Sequence, residues 1–203
     1  MKNKKSIQSY LFTPFRYIAG VKSLIYGGIV LLLLSGLSYL TQTAFDGVLD
    51  IHYGCLEKPE SYLTFLSCIL ISWASVVIVL YITSLIFSRS SVRFTDIAGT
   101  TAMAKYPLIF AALWGFMPFI HLCFDGTTDA NALMVLLKDN AGWIILTGLI
   151  AVPIIAWVMF LTYHAFSVSA NLKGKKGVIL FIIGILIGEI ISKVLIYFIF
   201  LRA

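Results

Sequence analysis

The chain has 203 residues, 60% of them hydrophobic, with a mean hydropathy of +0.98 and a formal net charge of +6. So apolar a composition exceeds what a water-soluble core can hide, which excludes an ordinary soluble domain and makes lipid the solvent. The basic residues sit at the ends of apolar runs and form no stripe, which excludes a phosphate footprint and nucleic-acid binding.

The first 22 residues form a basic tail carrying Lys2, Lys4, Lys5, Arg16 and Lys22, without the short apolar core and small-residue cleavage site of a signal peptide. Phe12, Phe15 and Tyr17 lie between the charges, as aromatic anchors do at the headgroup level, and Pro14 breaks any long helix. A first span is expected at about 23–40. From Thr41 to Tyr62 the composition turns polar and acidic, with Asp46, Asp50, Glu57 and Glu60 against Lys58, so a solvated outside loop is expected. His52 beside Asp50 and Glu57 is too sparse a pattern for a metal site.

A second span is expected at about 63–87, followed by Arg89 and Arg93. The connection SRSSVRFTDIAGTTAMAKYP that follows predicts a short cytoplasmic helix, with Thr95 as N-cap and Asp96 in the first turn. Ala98, Gly99, Ala102 and Ala104 make it narrow enough for close contact, and Pro107 interrupts it. A third span is expected at 107–124, with Pro118 as a kink and His121 near its outer end. A second outside loop carries Asp125, Asp129 and Asp139 around NALMVLL, a run too short to span and suited to lying in the interface or dipping back in.

A fourth span is expected at 143–166, a tight turn carrying Lys173, Lys175 and Lys176 follows, and a fifth span is expected at 178–201, with Arg202 beyond it. The expected fold is therefore all-α: residues 23–203 form a bundle of five transmembrane helices. Lys and Arg cluster in the tail, the 88–106 connection and the 167–177 turn. That places the N-terminus in the cytoplasm and the C-terminus outside.

Three cysteines without a CxxC indicate neither a disulfide framework nor zinc, and no catalytic motif or cofactor-binding loop is present. The chain reads as a non-enzyme with no cofactor and no metal. The one intramembrane charged pair is Glu189 and Lys193, whose i,i+4 spacing allows direct pairing. A charge at bilayer depth costs roughly 2.5–3.5 kcal/mol on insertion scales, so both are expected to face protein. Gly184, Gly188 and Ser192 repeat every four residues on an adjoining face, the small-residue pattern of a helix contact, which suits bundle packing or a homo-oligomer.

The five-span plan, DIAGT at Asp96 to Thr100 running into AKYP at Ala104 to Pro107, and NLKG before a glutamate-bearing last span resemble the Yip family, the Ypt/Rab-interacting multi-pass proteins, in what looks like its bacterial branch. Eukaryotic members carry a DLYGP-like motif; this chain keeps Asp96 and Gly99 but has Ala98 and Thr100 where Tyr and Pro would stand. The resemblance implies a membrane adaptor, with Asp96 and Gly99 as the positions carried over as determinants of packing or partner binding, and a bacterial cytoplasmic membrane as its place; Pro107 closes the same packing or partner motif in this chain.

Two functions follow as expectations. The first is an adaptor or organiser whose cytoplasmic face, including Arg89, Arg93, Lys173, Lys175 and Lys176, meets membrane lipid or a protein partner. The second is a small transporter or proton pathway built on Glu189 and Lys193.

Overall fold

A computed structural model describes residues 11–57, 59–122 and 130–200. Lys2, Lys4, Lys5, Lys58, Cys123, Asp125, Asp129 and Arg202 therefore lie outside the described residues. The chain is mainly helical: α1 (Gly20–Thr41), α2 (Tyr62–Phe87), α3 (Phe94–Met103), α4 (Leu108–Trp114), α5 (Ala130–Asp139), α6 (Ala141–Ser169) and α7 (Gly174–Phe200). A two-residue antiparallel ladder, β1 (Thr43–Ala44) with β2 (His52–Tyr53), closes the loop between α1 and α2.

Four helices, α1, α2, α6 and α7, are long and apolar enough to cross a membrane, which suits a multi-pass membrane protein. Their outward faces are apolar, with Leu32, Ile78, Leu149 and Ile190 all exposed, the pattern of helices whose solvent is lipid. The ends have identifiable causes. Gln42 adopts φ 48° after α1 and ties the turn through Nε2 to the Tyr39 carbonyl, 2.7 Å, while its Oε1 accepts the Glu60 N–H at 2.7 Å. Ser61 caps α2 by accepting the Thr64 N–H at 3.3 Å.

The third expected span is corrected. Among the described residues of 107–124 only Leu108–Trp114 is α-helical, and Pro118–Ile120 forms a single 3-10 turn. The segment expected to be a cytoplasmic connection is instead the buried helix α3, in which Ile97 through Ala102 are all buried. It starts after Arg93 rather than at Thr95, because the extended backbone of Arg93 precedes the first helical residue, Phe94, although Asp96 does fall in the first turn. Pro107 has no N–H to continue the helix, so between α3 and α4 the bonding tightens to i→i+3: Tyr106 N–H to Met103, Leu108 N–H to Lys105 and Phe110 N–H to Pro107, at 3.0–3.1 Å.

The α3–α4 pair follows α1 from one end to the other. Gly99 lies on the backbone of Ser23 and Leu24, Gly27 lies on Ala102 and Gly99, and Gly115 lies on Thr41 and Thr43. Trp73 of α2 donates to the Ala98 carbonyl at 3.1 Å, tying α2 to the same helix. α7 runs antiparallel to α2, Gly184 against Leu80 and Gly188 against Val76, so the small-residue face is occupied within the chain. α5 is a ten-residue helix, too short to span, that leaves Met134, Val135 and Leu137 exposed and leads through Asn140 into α6.

Candidate functional site

The residues that carry charge into the bundle meet at the loop between α1 and α2, and this loop is not the solvated one expected. Phe45 is buried, and its carbonyl accepts from Ser72, 3.3 Å, which lies ten residues, or about 15 Å, along α2 from Tyr62. Val48 and Leu49 pack into the core with Trp73 and Phe181. The loop therefore folds back between the helices. Non-helical backbone survives at that depth only when protein groups satisfy its N–H and C=O, and Glu189 does so here.

Glu189 and Lys193 do not bond to each other. Glu189 Oε2 accepts the Val48 N–H at 2.5 Å and the Leu49 N–H at 3.2 Å. A side chain at Gly47 would meet the same carboxylate, its Cβ falling 2.5 Å from Oε1, so glycine is required for the approach. Lys193 reaches Asp46 Oδ2 at 3.2 Å and also pairs with Asp50. The two charges of α7 thus hold successive parts of one loop, and Ser192 between them is buried, donating to the Glu189 carbonyl at 2.9 Å.

At the mouth of the loop His52 Nδ1 lies 2.7 Å from Asp46 Oδ1. Burial alone would raise the Asp46 carboxyl, but the hydrogen bond and charge of His52 and the Lys193 ammonium outweigh it and hold the group down to about 2. The bond to Asp46 raises His52 above its usual 6.5. Asp46, Asp50 and His52 bring a ligand atom each within 4.8 Å of one another, and Glu57 takes no part. The Lys193 ammonium already supplies the cation that this cluster needs.

The share of stability from a raised His52 is complete below 6.5 and lost as pH rises through its raised value; that from a lowered Asp46 is present above 3.8 and lost as pH falls through about 2. The expected result is a thermal midpoint higher at about pH 5 than at about pH 9, with the difference shrinking in His52→Gln. An unchanged difference in the variant would remove His52 from the loop's anchorage.

Cys55, in the same outer segment, is disulfide-bonded, which corrects the expectation of no disulfide, while Cys68 is a buried free thiol. His121 holds the neighbouring turn, its two ring nitrogens each 2.7 Å from a carbonyl oxygen, of Gly54 and of Gly115. His164 lies at the other end of the bundle against Phe15, so the two histidines are not brought together.

That other end is basic. Ser88 donates to the Ala170 carbonyl at 2.7 Å, Thr100 and Ser169 hydroxyls lie 3.2 Å apart, and Lys176 lies over the Phe87 ring at 5.4 Å, so the ends of α2, α3, α6 and α7 converge. Lys22, Arg89, Arg93, Lys173, Lys175 and Lys176 are all exposed there. Asp96 and Gly99 belong to this end, where Gly99 serves the α1–α3 contact, and the buried Pro107 shapes the α3–α4 link.

One charged residue was not singled out from sequence. Lys105, in the tight link before Pro107, is 6% exposed and lines a small cavity with Val48, Trp73, Thr101 and Thr162. Its position between small residues and a proline suggested a connection; only the burial of α3 places it in the interior. Compared with models of known families, with curated protein sequences and with solved structures, the chain matches none.

Proposed function

We propose that the protein is a non-enzymatic membrane organiser that crosses the bilayer five times and binds anionic lipid headgroups at its basic end. The observation that carries this reading is the separation of charge: exposed Lys22, Arg89, Arg93, Lys173, Lys175 and Lys176 at one end, and toward the other exposed Glu57 and Glu60 with the half-buried Asp46 and Asp50. A basic end facing the cytoplasm agrees with the bias of Lys and Arg in multi-pass proteins. The disulfide at Cys55, at the opposite end, supports an oxidising compartment there.

The fifth crossing is α3 and α4 together. From Phe94 to Trp114 the pair rises roughly 30 Å, the thickness of a hydrocarbon core, and it lies alongside α1 over that helix's length. In this reading the N-terminus is inside and the C-terminus outside, the plan that the Yip-like motifs imply. Each Lys or Arg near an anionic surface contributes roughly 1 kcal/mol.

The test is lipid retention by the purified protein, read by native mass spectrometry from an equal mixture of anionic and zwitterionic lipid. Anionic lipid is expected to be preferred. The preference should fall about tenfold or more when Arg89, Arg93, Lys173, Lys175 and Lys176 are all changed to Gln, and weaken with added salt. Equal retention of both lipids by the unaltered protein would end this reading.

A further inference from the structure

Lys105 is the deepest cation among the described residues. No hydrogen bond or ion pair with a described residue holds its ammonium there. Its cavity has a volume of about 10 Å³, room for one water molecule. Two hydroxyls face that space, and the proton of each is already committed: Thr101 donates to the Ile97 carbonyl at 2.6 Å, and Thr162 to the Val158 carbonyl at 2.8 Å. Their oxygens therefore present lone pairs to an ammonium or a water. The other walls, Trp73 and Val76 of α2 and Val158 and Met159 of α6, carry no titratable group, and the loop contributes Val48.

Val48 is also the residue whose N–H is bonded to Glu189, and Val76 is the residue on which Gly188 packs, so the Glu189 turn of α7 adjoins the cavity wall. Both loop N–H groups go to Oε2. A protonated glutamic acid keeps that oxygen as its carbonyl and carries the proton on Oε1, so Glu189 can gain a proton without releasing the loop. Polar groups continue toward both ends: Thr100 and Ser169 lead to the basic end, and Asp46, Asp50, His52 and Lys193 lie at the outer one.

We propose that Lys105 and Glu189 are the proton-bearing groups of a transmembrane proton pathway, exchanging one proton by way of water that enters the Lys105 cavity and passes the Val48 segment separating that cavity from Glu189. The proton leaves Nζ, which becomes a neutral amine, and arrives at Glu189, which becomes a neutral acid. Release from Glu189 to the outer end restores the carboxylate, and uptake from the basic end restores the ammonium. The pair as a whole is neutral before and after the internal step, which limits the desolvation penalty of moving charge through the interior. This activity is separate from lipid binding at the basic end and pairs Glu189 with Lys105 in place of Lys193.

The experiment uses the full chain in vesicles of zwitterionic lipid containing a pH-sensitive dye, with a potassium diffusion potential imposed by valinomycin. Proton flux above that of protein-free vesicles is expected. Lys105→Arg keeps a cation but does not release its proton, so its flux should fall to that of protein-free vesicles. Glu189→Gln keeps an acceptor for both loop N–H groups but carries no proton, and it should be equally silent. Each variant is first checked for a monodisperse fold, and if one fails this check the other decides. Flux from the unaltered protein no greater than from empty vesicles, or a folded Lys105→Arg or Glu189→Gln that conducts normally, overturns the proposal.

Discussion

Gly99→Ala loses the folded state under conditions where Gly28→Ala keeps it. A Cβ at Gly99 would lie 2.4 Å from the Leu24 nitrogen and 2.7 Å from the Ser23 carbonyl carbon, both main-chain atoms of α1 that no rotamer change can move. The helices must separate, and overpacking of this kind costs about 3 kcal/mol or more, far above the gain in helix propensity of about 1 kcal/mol that alanine brings over glycine. Gly27→Ala, whose Cβ would meet Ala102 Cβ at 2.5 Å, should fail in the same way. Its neighbour Gly28 has nothing within 4 Å, so alanine there is tolerated or mildly stabilising. Unfolding in a denaturing detergent compares the three, and a stable Gly99→Ala would mean that the α1–α3 contact is looser than described.

The second large effect is at Glu189. Leucine there strands the Val48 and Leu49 N–H groups inside the bundle, at about 1–3 kcal/mol for each unsatisfied donor, so Glu189→Leu should be among the most damaging single changes in α7. Glu189→Gln retains a carbonyl oxygen that both donors can reach, and its stability should stay close to that of the unaltered protein. Lys193→Leu frees Asp46 and Asp50 and loosens the loop from its other side. A direct ion pair would make the double change milder than either single one, because it leaves no orphaned charge. Two anchors on one loop make it worse than either, though less than additive, since a loop already freed has less to lose. A double-mutant cycle separates the two arrangements, and a double variant more stable than both singles would restore the direct pair.

Four long helices were readable because apolar runs of span length lie between charged ends, and their bounds differ by a few residues from those expected. The segment from Phe94 to Trp114 was not, for a physical reason. Asp96, Lys105, the threonines and the small residues dilute its hydropathy, whereas Pro107 to Phe124 is more apolar but is cut by Pro118. Burial of Ile97 to Ala102 against α1 takes over the work that hydropathy does elsewhere. The loop from Phe45 to Ile51 misled in the same way. Its acids suggested solvent, yet Phe45, Val48, Leu49 and Ile51 alternate with them, and that alternation was a signal for a loop with one buried side. For Glu189 and Lys193 the expectation that both face protein agrees with their contacts, but helical spacing says nothing about a loop more than 130 residues away that offers better partners.

The buried lysine of the α3–α4 link also bears on how such a chain is built. Placed at bilayer depth by the proposed fifth crossing, this lysine opposes insertion by roughly 2.5–3.5 kcal/mol, in a segment already poor in apolar residues and interrupted by Pro107. In the five-crossing arrangement that segment does not partition into lipid on its own account as it leaves the ribosome. It needs the glycine groove of α1 already in the membrane, and it needs the Phe45–His52 loop with Glu189 to shelter the cation. Because Glu189 belongs to α7, in that arrangement α3 and α4 reach their final place only after α7 has been made.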